Sequence, residues 1–201
     1  GGWGSELSGI WVAKYEMSME TNGSHTETGW PSEGNVTTSS TVQAVSKPNV
    51  SSWRNINIGN TYTNSYNYDR DKESHLMKNS EWGAVSYLGQ SQYGLNGTNI
   101  YINNVNLHSS TGAQSVYAIT GCAAATADAD QVTTEMDTTT KRPKATNVYT
   151  WTQVSGTKAS TTGTIYGIYD MSGGAWERTA SLVNNGNGNL STYGQSLMNL
   201  L

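Results

Sequence analysis

Charge is scarce in this chain. Only 13% of its 201 residues are Asp, Glu, Lys or Arg, and the net charge is −4. A nucleic-acid-binding surface needs a basic stripe. The one dense basic run, Lys141–Arg142–Pro143–Lys144, reads as a solvated turn, so no nucleic acid is expected as a partner. Long apolar runs are missing too. Nothing approaches the 18 or so residues that a membrane-spanning helix requires. Cysteine is almost absent: Cys122 stands alone in TGCAAATA, so no internal disulfide can form. Small apolar neighbours, without a nearby cation to lower its pKa, make it a buried structural thiol. Phenylalanine does not occur at all, and no physical reason for that is evident.

Aromatic surface is nevertheless plentiful. Seven Trp and twelve Tyr are spread along the sequence. Each can bury a large area while its N–H or O–H finds a partner. This separates the chain from disordered segments, which combine high charge with few aromatics. The length suffices for one domain with its own core. The expectation is a single domain over 1–201, cut from a longer protein. Low charge with abundant Asn, Thr, Ser and Gly is typical of loop-rich extracellular or virion proteins.

Periodicity predicts an α+β pattern rather than alternating βαβ units. GIWVAKYEMS (Gly9–Ser18) reads as a strand, and residues 20–46 as a long polar loop or hairpin. A helix is expected from Trp53 to about Asn64, started by Ser51 or Ser52. The clearest helix lies in ESHLMKNSEWGAVSYLGQSQYGLNG. There Met77, Ala84 and Leu88 share a face, Trp82 and Val85 flank it, and Gly89 and Gly94 suit the end. Thr98–Asn104, Asn147–Val154 and TGTIYGIYD are strand-like. Residues 105–147 are mostly loop, and the tail SLVNNGNGNLSTYGQSLMNLL is turn-prone.

Few side chains are spaced for chemistry. His25, His75 and His108 lack metal-ligand spacing and read as surface or capping residues, with His75 at a helix start. Asp128, Asp130, Glu135 and Asp137 lack the glycine and spacing of an EF-hand. Glu16 and Glu81 read as structural polar contacts and Trp82 as core. YTNSYNY (Tyr62–Tyr68) suits either an adaptable recognition surface or an amphipathic helix end. Long loops at 20–46 and 105–147 are further candidates for binding.

The densest constellation is GIYDMSGGAWERTA, from Gly167 to Ala180. Its residues alone leave two readings. One is a simple Gly173–Gly174 turn, with Trp176 in the core and Asp170 and Glu177 facing solvent. The other is a glycine-tightened loop that aims carboxylates and carbonyls at a cation.

Three stretches, in this order, resemble the formylglycine-generating-enzyme-like family. Ala13–Ser18 is similar to its opening "GKYEVT"-like strand, Asn79–Leu88 to its "EAEWEYAARGG"-like helix, and Gly167–Arg178 to its "GLYDMxGNVWEW"-like turn. The third is the most specific. The resemblance implies a C-type-lectin-like fold with two helices, short antiparallel strands and long loops. It also implies a structural Ca2+ in the tryptophan turn. Asp170 and Glu177 would supply carboxylates, Gly173 and Ala175 backbone carbonyls, and Trp176 would turn into the core. Gly174 departs from the family's Asn. The family's enzymes use a cysteine pair for copper, and a soft-ligand pair is lacking here; its closing strands are also absent. The expectation is therefore a non-enzymatic module on a phage virion or bacterial surface. It would bind a host receptor or glycan through loops. A structural decoration or fibre subunit contacting sister subunits is the alternative, and a copper-dependent oxidase stands behind both.

Overall fold

The computed structural model describes residues 8–23, 35–107, 117–124, 127, 132–134, 144 and 148–181. His25, His108, Lys141–Pro143, Asp128, Asp130, Glu135, Asp137 and the tail beyond 181 lie outside them.

The chain is α+β. The first hairpin pairs β1 (Met17–Thr21) antiparallel with β2 (Val42–Ser46), in a register running from Met17 opposite Ser46 to Thr21 opposite Val42. This hairpin flanks the segment expected to be a loop. Helices α1 (Ile58–Asn67) and α2 (Asn79–Gln90) follow. Short strands come after them: β3 (Val105–Leu107), β4 (Tyr117–Ala118), β5 (Cys122–Ala123), β6 (Val132–Thr134) and β7 (Tyr149–Thr150). β3 is central to one small sheet, antiparallel to β4 and parallel to β6, and β5 pairs antiparallel with β7. Among the described residues no helix is long and apolar enough to cross a membrane.

Several boundaries differ from the sequence pattern. The opening strand begins at Met17 rather than Gly9. Residues just before it meet the rest of the chain through isolated contacts, such as the Tyr169 amide donating to the Lys14 carbonyl at 2.9 Å, and make no ladder. The first helix starts at Asn57, not Ser51 or Ser52: the Asn57 side chain accepts from the Asn60 amide at 2.8 Å, as an N-cap should. Ser52 is used elsewhere, below. Thr98–Asn104 forms a single bridge at Asn103, and TGTIYGIYD is a series of turns. In the first Ile100, Tyr101 and Ile102 are only partly buried, and in the second Tyr169 is buried while Ile165 and Tyr166 are exposed; such irregular packing is not distinguished from strand by periodicity.

YTNSYNY falls within and just after α1. Its buried member is Asn64, whose side chain accepts from the Thr38 amide at 2.8 Å and donates to the Val36 carbonyl at 3.0 Å. Tyr62 stacks on Tyr66 one turn later, and the Arg70 guanidinium lies over the Tyr66 ring. The helix thus anchors residues 36–38 through one amide side chain.

In α2 the buried positions are Glu81, Val85 and Gly89, spaced by four. Ala84 is exposed, so the inward face is rotated from the expected one. Glu81 explains the rotation. Its carboxylate accepts from the Lys78 amide at 2.8 Å, capping the helix, and from His75 Nε2 at 3.0 Å. A charge satisfied this way can be buried where an alanine would be expected. The helix ends where the Leu95 amide returns to the Gly89 carbonyl. A Cβ on Gly94 would collide with the Leu88 and Thr161 carbonyls.

One core cluster gathers Tyr15, Ala123, Ala159 and Tyr169, with Tyr101 and Trp151 against it. Tyr15 stacks on Tyr169 at 5.3 Å and meets Trp151 edge-on at 6.3 Å. Tyrosine fills the role that Phe takes in other cores.

Replacing Glu81 by Ala should lower stability by about 1–3 kcal/mol, since the Lys78 amide and His75 lose their acceptor. Urea denaturation checks this; a change within about 0.5 kcal/mol would contradict the capping role, because that is the range of neutral surface substitutions.

Candidate functional site

The segment from Tyr169 to Glu177 is organised by Asp170. Its backbone is left-handed, at φ 67°, a conformation that Asp tolerates better than most residues. Its side chain is 1% exposed. Oδ1 accepts from Asn103 Nδ2 at 2.8 Å and from the Gly121 amide at 2.9 Å; Oδ2 accepts from the Glu16 amide at 3.2 Å. Asn103 extends the network. It donates to the Ile119 carbonyl, its amide donates to the Ser172 carbonyl at 2.7 Å, and its carbonyl accepts from the Gly174 amide at 2.8 Å. One carboxylate therefore holds the approach to β1, the approach to β3 and the β4–β5 turn against the tryptophan turn.

The two glycines have separate reasons. Both are left-handed, at φ 85° for Gly173 and 76° for Gly174. A Cβ on Gly173 would strike the Asn103 backbone, and one on Gly174 would lie 2.8 Å from Glu16 Oε2. Glu16 passes directly under the loop. Its Oε2 accepts from the Ala175 amide at 3.1 Å and from Ser52 Oγ at 2.7 Å.

Glu16 and Asp170 form a tightly interacting acid pair. Burial, and then the other carboxylate, pushes Glu16 up to about 8. Burial also pushes Asp170 up, to about 6, against the pull of its three donors. The proton consequently resides on Glu16 at neutral pH, and Asp170 is the anion. Two hydrogen bonds oppose the shift of Glu16: Ser52 Oγ and the Ala175 amide both donate to its carboxyl and pull its pKa down.

The other end of the turn faces solvent. Trp176 is 98% exposed, the reverse of the core position expected for it. Its backbone is pinned next door by the Ala175 amide, so the ring is projected rather than packed. Glu177 accepts a hydrogen bond from Trp82 Nε1 on α2. This ties Trp82, only partly buried, to the turn instead of the core. Desolvation pushes the Glu177 carboxyl up, and the Trp82 bond opposes it. Asn79, Trp82, Met171, Trp176, Glu177 and Thr179 line an open depression of about 540 Å³.

Of the four residues expected to bind calcium, Asp170 does not fit. N–H donors converge on both of its oxygens, where a cation would be repelled. The bridge at Gly173 engages the Ser172 carbonyl and the Gly174 amide with Asn103, the Ala175 amide donates to Glu16, and Glu177 accepts from Trp82. Among the described residues no group of three or more His, Cys, Asp or Glu is placed to hold a metal. Glu16, read as a structural contact, proves central to the turn. The signal for it was its position in the opening strand, but nothing local revealed its partner 159 residues away. Cys122 is fully buried; burial and then Asp170 push its thiol up, and it donates to Asn49 Oδ1 at 3.8 Å.

No protein-family model, curated protein or solved structure matches the chain.

Three outcomes follow from this geometry. Asp170→Ala leaves three buried donors unpaired and should cost about 3 kcal/mol or more in urea denaturation. Loss below about 1 kcal/mol, the level of a single ordinary hydrogen bond, would contradict the network. Glu16 and Asp170 bind protons more tightly folded than unfolded, where their pKa values are 4.5 and 3.8. Their stabilising contribution is thus full below pH 3.8, falls as pH rises from there, and is lost above about 6 for Asp170 and about 8 for Glu16. The slope approaches about 1.4 kcal/mol per pH unit for each proton. Glu16→Gln should flatten the profile above pH 6; an unchanged profile would contradict the assignment. Finally, EDTA should leave the melting temperature unchanged. A calcium-dependent rise that Asp170→Ala abolishes would reinstate Asp170 as a ligand.

Proposed function

We propose that this chain is a non-enzymatic recognition module displayed on a phage particle or bacterial surface, binding a host receptor or glycan. The single observation that carries the reading is Trp176. Single exposed apolar residues are ordinary, and Trp11 is as exposed as Trp176; what sets Trp176 apart is that it lines a depression together with Trp82 and Glu177. Here the backbone beneath it is fixed by Glu16, Asn103 and Asp170, so little ordering is left to pay on binding. Covering the ring with a ligand contributes roughly 2–4 kcal/mol from area alone. Glycans present the flat apolar faces and hydroxyl edges that suit an indole beside Asn, Thr and carboxylate groups.

A C-type-lectin-like arrangement is part of the proposal. Its support is the chain order: an opening hairpin, two helices, short strands, then the tryptophan turn, matching the order of motifs that resemble the formylglycine-generating-enzyme-like family. The non-enzymatic reading draws support from Cys122, which is buried, protonated and without a second cysteine in the sequence. A thiol in that state is a poor nucleophile and a poor copper ligand.

The test is retention of the labelled protein on isolated bacterial envelopes and on a glycan array. Wild type should be retained on at least one surface, and Trp176→Ala should weaken retention by about tenfold or more, as truncation of an aromatic anchor does. Light scattering run alongside should show no large self-assembly. Absence of retention together with stable self-assembly would replace this reading with a decoration or fibre subunit.

A further inference from the structure

The depression at the tryptophan turn has a composition more selective than an apolar shelf. Two indoles line it, Trp82 from α2 and Trp176 from the turn, with the Glu177 carboxylate next to Trp176 in sequence and bonded to Trp82 Nε1. Asn79 and Thr179 supply neutral polar atoms, and no lysine or arginine lines it. No described ion pair involves Glu177; Arg178 follows it in the chain but does not line the hollow, and the acids Glu16 and Asp170 feel its charge. The whole chain carries a net charge of −4.

We infer that this depression binds an organic ammonium group, alkylated or on an amino sugar, held between Trp176, Trp82 and Glu177. The inference rests on the recognition reading and names the ligand chemistry of the same site. An indole face carries negative potential and attracts a cation, most strongly once water is excluded. Glu177 adds a full charge at the wall of the same hollow. Its hydrogen bond from Trp82 fixes the carboxylate without neutralising it, because an indole N–H has no charge. A weakly hydrated alkylammonium suits this combination better than a metal ion. It needs no ring of oxygen ligands, and its carbon shell covers the exposed Trp176 ring. A neutral saccharide would use the indoles but gain nothing from the charge. An anionic one would be opposed by Glu177 and the acids behind it.

The site also explains why the turn is built as it is. Gly173 and Gly174 bring the chain close over Glu16 and leave Trp176 with both faces accessible. Trp82 stands on the neighbouring helix, partly buried, as a fixed wall. Closure then asks only the Trp176 side chain to settle, so a small ligand can be held without rearrangement of the backbone.

The probes are choline and tetramethylammonium chloride, titrated against intrinsic tryptophan fluorescence at constant ionic strength, with sodium chloride as the matched control. N-acetylglucosamine oligosaccharides form the neutral arm. Saturable change with both organic cations, not with sodium, is expected. Trp176→Ala should abolish it, and Glu177→Gln, which keeps an acceptor for Trp82, should weaken it by about tenfold through loss of the charge. Neither substitution alters a buried group, and circular dichroism confirms folding. Lack of saturation with the cations overturns the inference. So does equal affinity in wild type and Glu177→Gln. The same cations are then added to the envelope-retention assay. Retention that depends on Trp176 but is not competed by choline sinks the ammonium inference and leaves recognition standing. Retention indifferent to Trp176 sinks both.

Discussion

The structure depends on the Asp170 carboxylate being the shared acceptor of three distant parts of the chain. Gly121, Asn103 and Glu16 all donate to it. Strands of two or three residues cannot by themselves define a fold, because each contributes too few ladder hydrogen bonds. A buried anion with convergent donors does what the short sheets cannot. It fixes where the β4–β5 turn, the approach to β3 and the first hairpin sit relative to one another. The burial of its charge is costly and is tolerated because the donors replace water. The neighbouring Glu16 keeps the cost bounded by carrying a proton.

From this hub the outer surface follows. Asn103 clasps Ser172 and Gly174, and Glu16 holds Ala175, so the loop reaches Trp176 with its backbone bonded at successive points. The indole stands almost wholly exposed at the end of this bonded loop. Trp82 and Glu177 join the turn to α2. The result is a rigid aromatic ledge beside an acid, on a protein with otherwise little charge. The proposed recognition role and the proposed ammonium ligand both rest on this ledge.

The α+β class and both helices were legible in the sequence, as was the importance of the tryptophan turn. The helices were visible because their signals are local: SEW within a helical run, and glycines at its end. The inward face of α2 was misjudged because Glu81 is buried by virtue of a cap and a histidine, and polarity alone argues against burial. The short strands were misplaced because their pairing depends on contacts across the whole chain. Trp176 was expected in the core since tryptophan usually goes there. The Ala175 amide beside it is held by Glu16, a long-range contact that no spacing reveals. For the same reason Asp170 looked like a free ligand: its donors are a backbone amide in one segment, an asparagine in another and an amide in a third.

Residue-resolved amide hydrogen exchange tests the central claim most directly. If the Asp170 network holds these segments together, the amides of Glu16, Gly121, Gly174 and Ala175 exchange only through global unfolding, with protection equal to that of Val85 in α2. Exchange of those amides at rates typical of exposed loops, while α2 stays protected, would contradict the account.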